Sequence, residues 1–225
     1  MRAGASDGMW ESVTRAHLLT LAAVSTLLAT LGLVFFDLPL SQWVSAYEQS
    51  SAWEPIVTVC EYLIGVTPWV WTATVVLCGG VLATILVRRW HHHAPAWIYV
   101  TIVYLLSRNL TGWGKTLTGR LRPHQWLKAG GDTFGHLGTG ASFPSGHVAV
   151  FAGILIPLAI VWPRSRPLLL VIPFIMIARI AVLAHFASDV FAGLALIALV
   201  AWVCTPLLAL ASVKPAAPPA APAPR

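Results

Sequence analysis

An all-α fold, a polytopic membrane bundle of six transmembrane helices, is what this sequence predicts. Three observations lead there. Of the 225 residues, 57% are hydrophobic and 10% charged, where soluble domains carry roughly 25% charged residues. The apolar residues gather into runs long enough to be bilayer spans. The Lys and Arg residues sit beside alternate runs, as the positive-inside rule requires. At this length there is room for about six spans of roughly 20 residues and little left for a soluble domain.

Met1 to Arg15 is polar, and the apolar run after it, Ala16 to Phe36, is long enough to span a bilayer. Residues 1–15 therefore read as a cytoplasmic segment ahead of a retained anchor rather than as a cleaved signal peptide. Within the loop that follows, Trp53, Ile56, Val57, Cys60, Leu63 and Ile64 recur at helical spacing, which predicts an interfacial helix. The second span is Pro68 to Val87 and the third Ala96 to Trp113. The third loses its clean apolar character after Leu106, where Ser107, Arg108 and Asn109 follow, so its assignment rests on the charge pattern on either side. Pro144 to Trp162, Leu168 to Ala184 and Phe186 to Leu210 complete the six. Residues 16–211 form one membrane domain. Residues 212–225, mostly Pro and Ala, cannot pack a core and read as a disordered tail.

Arg2 and Arg15 precede the first span, Arg88 and Arg89 follow the second, and Arg164 and Arg166 lie between the fourth and fifth, which places these loops in the cytoplasm. The first outer loop holds Asp37, Glu48, Glu54 and Glu61 without a Lys or Arg. The loop from Gly114 to Phe143 is outside by parity, yet it carries Lys115, Arg120, Arg122 and Lys128. Cations placed against the bias need a local reason, and anion binding supplies one. The net charge of +6 does not point to nucleic acid, because no soluble binding module surrounds the basic residues. Cys60, Cys78 and Cys204 lack pairing density and read as packing residues. His91 to His93, three adjacent positions in a polar loop, do not have the spacing of a structural metal site.

Three clusters carry the unusual polar residues, all at the outer face. In the first, Lys115 and Arg122 lie seven positions apart, with Pro123 after them. The second is Phe143-Pro144-Ser145-Gly146-His147 at the start of the fourth span. Here Pro suits a first helical turn, Ser offers a hydroxyl, Gly permits close approach, and the amides of a helix N-terminus attract phosphate. The third is Arg179, His185 and Asp189. His185 and Asp189 are four apart, so one helical face can present the carboxylate to the imidazole, fixing its tautomer and raising its nucleophilicity. Arg179 lies in an apolar segment, where a charge costs at least about 2.5 kcal/mol by insertion scales and is normally turned toward a polar partner.

Each cluster also has a purely structural reading: Arg179 snorkelling to the interface, His147 lining a polar pocket, His185 and Asp189 as a structural pair. Three such coincidences on one face tell against it. Arg120, Lys128, Asp132, His124 and His136 share the outer loop, where ordinary solvation is the expectation and headgroup contact the alternative.

Taken together, Lys115-x6-Arg122-Pro123, then Pro144-Ser145-Gly146-His147, then Arg179-x5-His185-x3-Asp189 resembles the signature of the type 2 phosphatidic acid phosphatase superfamily. The resemblance implies a metal-independent double displacement without a cofactor. His185 would attack phosphorus, Asp189 would orient it, and His147 would protonate the leaving oxygen and then help water attack. Lys115, Arg122, Ser145, Gly146 and Arg179 would hold the phosphoryl oxygens. One departure is Ala178, where the family usually has Ser before the third-motif Arg.

What the resemblance implies as substrate is a phosphorylated membrane lipid: polyprenyl diphosphate, phosphatidylglycerophosphate, phosphatidic acid or lipid A. The setting it suits is a bacterial inner membrane with the site facing the periplasm. A lipid phosphotransferase using the same phosphohistidine, and a catalytically silent phospholipid-binding or transport protein, are the alternatives. Vanadate-dependent haloperoxidases use a similar constellation but are soluble, which the apolar runs oppose.

Overall fold

The structure, a computed structural model, describes residues 3–47, Pro55, Val59 and residues 71–211, with side chains over 14–46, at 55 and 59, and over 71–208. Among the described residues all regular structure is helical. The six positions expected to mark an interfacial helix and the 212–225 tail lie outside the described residues.

The first element is longer than the sequence predicts. Helix α1 (Ala3–Leu31) runs through a π turn (Gly32–Phe36) directly into α2 (Asp37–Tyr47). Leu18, Ala22, Ser25 and Gly32 form the buried stripe of α1, the three-to-four spacing of one helical face. In an unbroken α-helix Phe36 would come next on that stripe, but it is 58% exposed and Asp37 is buried instead. The cause is the π turn, in which the Asp37 amide bonds to the Gly32 carbonyl five residues back. The single-residue offset rotates Asp37 inward. Gly32 also permits close packing, since a β-carbon there would lie 3.0 Å from the Ser188 nitrogen. Asp37 thus belongs to the bundle interior and not to an acidic outer loop.

Helix α3 (Thr72–Leu86) leads through a 3-10 segment (Arg88–His93) into α4 (Ala94–Thr118). The polar residues that blurred the third span are absorbed locally. Arg108 donates to the Tyr104 hydroxyl at 3.1 Å and stacks over Trp71, and Asn109 donates to the Leu105 carbonyl. The helix therefore continues to Gly119, whose left-handed φ of 50° ends it. A short helix not foreseen from sequence, α5 (Pro123–Ala129), follows with Pro at its first position.

Helix α6 (Gly146–Val161) is followed by a 3-10 stretch (Pro163–Leu170), then α7 (Val171–Ala181), α8 (Ala187–Cys204) and α9 (Pro206–Ala211). Pro163 and Pro167 hold the start of the fifth expected span out of α geometry. The core lies where α1, α4, α6 and α8 meet, around Tyr99, Val103, Val148, Ala152, Val190 and Ile197.

Two helices, Thr14–Ala46 and Ala187–Leu208, are long and apolar enough to cross a membrane, while Thr72–Leu86 and Gly146–Val161 are apolar but shorter. Large apolar side chains are exposed on several outer faces, among them Leu27, Phe35, Val75, Leu86 and Ile177. The arginines at 88, 89, 164 and 166 cap one end of the bundle, before α4 and after α6. The far end of α4 and the near end of α6 meet at the other, where the three polar clusters lie.

Candidate active site

Helix α7 stops in a Schellman arrangement. The Leu183 amide bonds to the Ile180 carbonyl at 3.0 Å and the Ala184 amide to the Arg179 carbonyl at 3.1 Å, the pattern that closes a helix with one left-handed residue. That residue is Leu183, buried with φ of 52°, a conformation costing roughly 1–2 kcal/mol for a residue with a β-carbon. The His185 amide also reaches the Arg179 carbonyl, at 3.2 Å. The five-residue gap between Arg179 and His185 is therefore the length of this turn. The Leu183 carbonyl is held in turn by the His124 amide at 3.3 Å and faces His124 Nδ1 at 3.1 Å.

His185 is not on a helix, so it and Asp189 do not share a helical face as their spacing suggested. His185 precedes Phe186, the N-cap of α8, and Asp189 is the third residue of that helix. Its Oδ2 accepts the Phe186 amide at 2.8 Å, and the same atom lies 3.5 Å from His185 Nδ1. The carboxylate closes the helix N-terminus and turns the imidazole at once. Ser142 completes this side: its hydroxyl donates to Asp189 Oδ2 and lies 3.4 Å from His185 Nδ1. Nothing in the residue spacing singles out Ser142. It arrives because the 119–142 loop folds back, with the Ser142 amide on the Arg120 carbonyl at 2.9 Å and the His136 amide on the Gly119 carbonyl at 2.9 Å.

Ser145 occupies the N-cap position of α6 without a side-chain capping hydrogen bond and is fully buried. Its amide donates to the Asp189 carbonyl at 3.0 Å, which ties the N-termini of α6 and α8 together. Gly146 lies against Lys115, whose Cε is 3.4 Å from where a β-carbon would stand. The half-buried His147 ring meets the His185 ring edge-on, with centroids 6.4 Å apart. Lys115, at the last turn of α4, donates to the Ala141 carbonyl. Burial pushes its pKa down to about 8, helped by the neighbouring Arg122 and Arg179 cations against the pull of Asp189. Burial likewise takes His185 down to about 4, against the hydrogen bond and charge of Asp189 and with Lys115 and His147 nearby. All eight residues singled out in the sequence thus converge on one end of the bundle. The half-buried Arg122 and Arg179 stand close enough to Lys115 to repel it. The fully buried Ala178 is packed within the bundle.

The residue that sequence reasoning missed is Arg120. Expected in a solvated loop, it is 1% exposed. Its Nη2 donates to Asp37 Oδ2 at 2.7 Å, and its Nη1 donates to Ser188 Oγ at 2.6 Å and to Asp189 Oδ1. The guanidinium is sandwiched between Phe134 and Phe186, 4.7 and 4.2 Å from the ring centroids. Asp37 also accepts the Ser188 amide at 3.0 Å and its hydroxyl. By contrast Lys128, Asp132 and His124 are exposed. A signal for Arg120 existed only as a cation set against the charge bias and one of several upstream carboxylates, Asp37, 83 residues away.

Such an arrangement can hold a tetrahedral oxyanion among three cations and helix-terminal amides, next to an imidazole whose Nδ1 is engaged and whose Nε2 is left for chemistry. No curated protein and no solved structure matches the chain. The family model described as the PAP2 superfamily matches residues 95–211, a segment from α4 to the end of α9 that contains all eight convergent residues. With more than half of its length matched in this way, the chain belongs to the PAP2 superfamily.

Proposed function

We propose that this protein is an integral membrane phosphatase that removes phosphate from a lipid phosphomonoester or diphosphate, with His185 as the nucleophile. Membership of a family of phosphatases assigns it to phosphoric ester hydrolysis. The observation that carries the finer reading is the buried His185 imidazole, with Nδ1 3.5 Å from the Asp189 carboxylate and the Lys115 cation nearby, itself neighboured by Arg122 and Arg179. Nδ1 keeps its proton toward Asp189, so the Nε2 lone pair attacks phosphorus and a P–N bond forms as the P–O bond to the lipid breaks. His147 gives its proton to the departing oxygen. It then takes one from water, which attacks the phosphohistidine, breaks the P–N bond and returns His185 to its starting state. Lys115, Arg122 and Arg179, with the Ser145 hydroxyl and the Gly146 amide, neutralise the equatorial oxygens, the task on which phosphoryl transfer chiefly depends. Every charge this step needs is supplied by side chains, so the reaction is read as metal-independent.

A lipid substrate is favoured by the two apolar helices of spanning length and by the apolar outer faces. We read the chain as a six-span bundle with the shorter helices completing it. The arginines at 88, 89, 164 and 166, at the end away from the site, favour an orientation with the site on the periplasmic side of an inner membrane. The substrate then keeps its tail in lipid and its headgroup at the surface, as polyprenyl diphosphate, phosphatidylglycerophosphate, phosphatidic acid and lipid A all do.

The test is phosphate release by the detergent-purified protein from those four lipids, with a chelator present and His185→Ala alongside. Release that resists the chelator and vanishes in the variant is expected. Release from none of them, or full activity in His185→Ala, overturns the reading. Product that appears only with a second lipid acceptor identifies a phosphotransferase instead.

A further inference from the structure

We propose that Asp37, on the N-terminal helix and outside the segment matched by the family, is a positioning residue for His185 that acts by neutralising Arg120. The proposal rests on the reading of His185 as the reactive imidazole. Its basis is the charge arithmetic of a buried network. Arg120 bridges two carboxylates, Asp37 through Nη2 and Asp189 through Nη1, and all three side chains are at most 1% exposed. With Asp189 alone the pair would be neutral, and the carboxylate would exert little field on the imidazole. Asp37 brings the trio to a net charge of −1, and the remaining negative charge acts through Asp189 Oδ2, the oxygen turned to His185.

The need for that charge follows from what faces the imidazole. Lys115 from α4 and His147 from α6 face it as cationic or titratable groups, Arg122 and Arg179 add positive charge around Lys115, and Asp189 from α8 supplies the opposing sign. In a phosphohistidine that keeps its Nδ1 proton the phosphoryl group is anionic but the ring is cationic, so the ring charge develops beside Lys115 unless a net anion stands behind it. Asp37 reaches this place only through the π turn that carries it onto the inner stripe of α1. Two further contacts, from the Ser188 amide and hydroxyl, register Asp37 against the first turn of α8.

Two variants of the full-length protein, the isosteric Asp37→Asn and the shorter, neutral Arg120→Gln, separate this role from packing because they change the net charge in opposite directions. The readouts are the acid limb of kcat/KM on a lipid phosphate and the acid limb of orthovanadate binding, vanadate being an anion with the shape of phosphate that needs the same imidazole but no turnover. Asp37→Asn is expected to lower kcat by about 10-fold or more with KM little changed, and to move both limbs down by roughly one pH unit. Arg120→Gln is expected to move them up.

Limbs that stay in place in the folded variants, or that move in the same direction in both, overturn the proposal. If only one variant folds, the sign of its shift decides. If neither folds, the network is an element of the fold and the proposal fails. Wild-type protein that binds vanadate but releases phosphate from no lipid refutes the phosphatase reading alone, and the vanadate limbs still test Asp37. Wild-type protein that takes no vanadate refutes both.

Discussion

Arg120 and Asp189 are joined by a buried ion pair across 69 residues of sequence, and the carboxylate oxygen that Arg120 leaves alone is the one that faces His185. The loop after α4 is thereby attached to the carboxylate beside His185. Breaking such a pair by removing one partner costs about 3–5 kcal/mol, because the other charge is left buried and alone. The network therefore joins α2, the loop after α4 and the first turn of α8.

The first prediction concerns pH. Burial holds His185 near 4 and Lys115 near 8. In the proposed mechanism the imidazole attacks only when neutral, and the lysine binds oxyanion only when charged. Once the substrate's own ionisation is divided out, kcat/KM rises as pH passes upward through about 4 and declines as Lys115 loses its proton near 8. Lys115→Arg, which stays protonated, removes the lysine's share of the alkaline decline. An alkaline limb unchanged in that variant contradicts the assignment.

The role given to His147 makes its importance depend on the leaving group. His147→Asn is expected to slow hydrolysis of a lipid monoester by about 10²–10⁴-fold, the usual worth of a general acid. An aryl phosphate, whose leaving oxygen needs no proton, is expected to lose far less in formation of the phosphoenzyme. Equal losses with both substrates count against proton donation. Stopped-flow with the aryl phosphate and steady-state release from the lipid give the comparison.

Leu183 offers a test of the turn that presents His185. Leu183→Ile conserves volume but puts a branched β-carbon at a positive φ, which is expected to cost about 1–2 kcal/mol or to shift the turn. Thermal unfolding reads the first effect and kcat the second. A variant with wild-type Tm and kcat shows that the turn does not depend on the shape of this residue.

Gly32→Ala probes the meeting of α1 with α8. The added carbon would stand 3.0 Å from the Ser188 nitrogen and 3.4 Å from Asp37 Oδ1, and overpacking of this kind costs typically about 1–3 kcal/mol. A lowered Tm together with a lowered kcat is expected, since the displaced helix carries Asp37. A loss of stability with kcat unaffected would separate the packing of α1 from the chemistry.

What the sequence determined by itself is local or periodic. Apart from the longer first element and the short α5, apolar runs marked the helices to within about five residues, because burial of one face or of a whole span leaves its period in the chain. The proposed site residues from Lys115 to Asp189 could be singled out because each lies at or beside a helix end where spacing and residue type constrain each other, as Arg179 and His185 do across the turn at Leu183. Only the tertiary structure decided the rest. The third span, expected to end at Trp113, runs on to Thr118, and Arg108 within it is accommodated by Tyr104 and Trp71. The fifth began late because two prolines precede α7. Asp37, Arg120 and Ser142 came together through a π turn and a folded-back loop. An ion pair between residues 83 positions apart leaves no periodic trace, since its partners are chosen by packing in three dimensions and not by their distance along the chain.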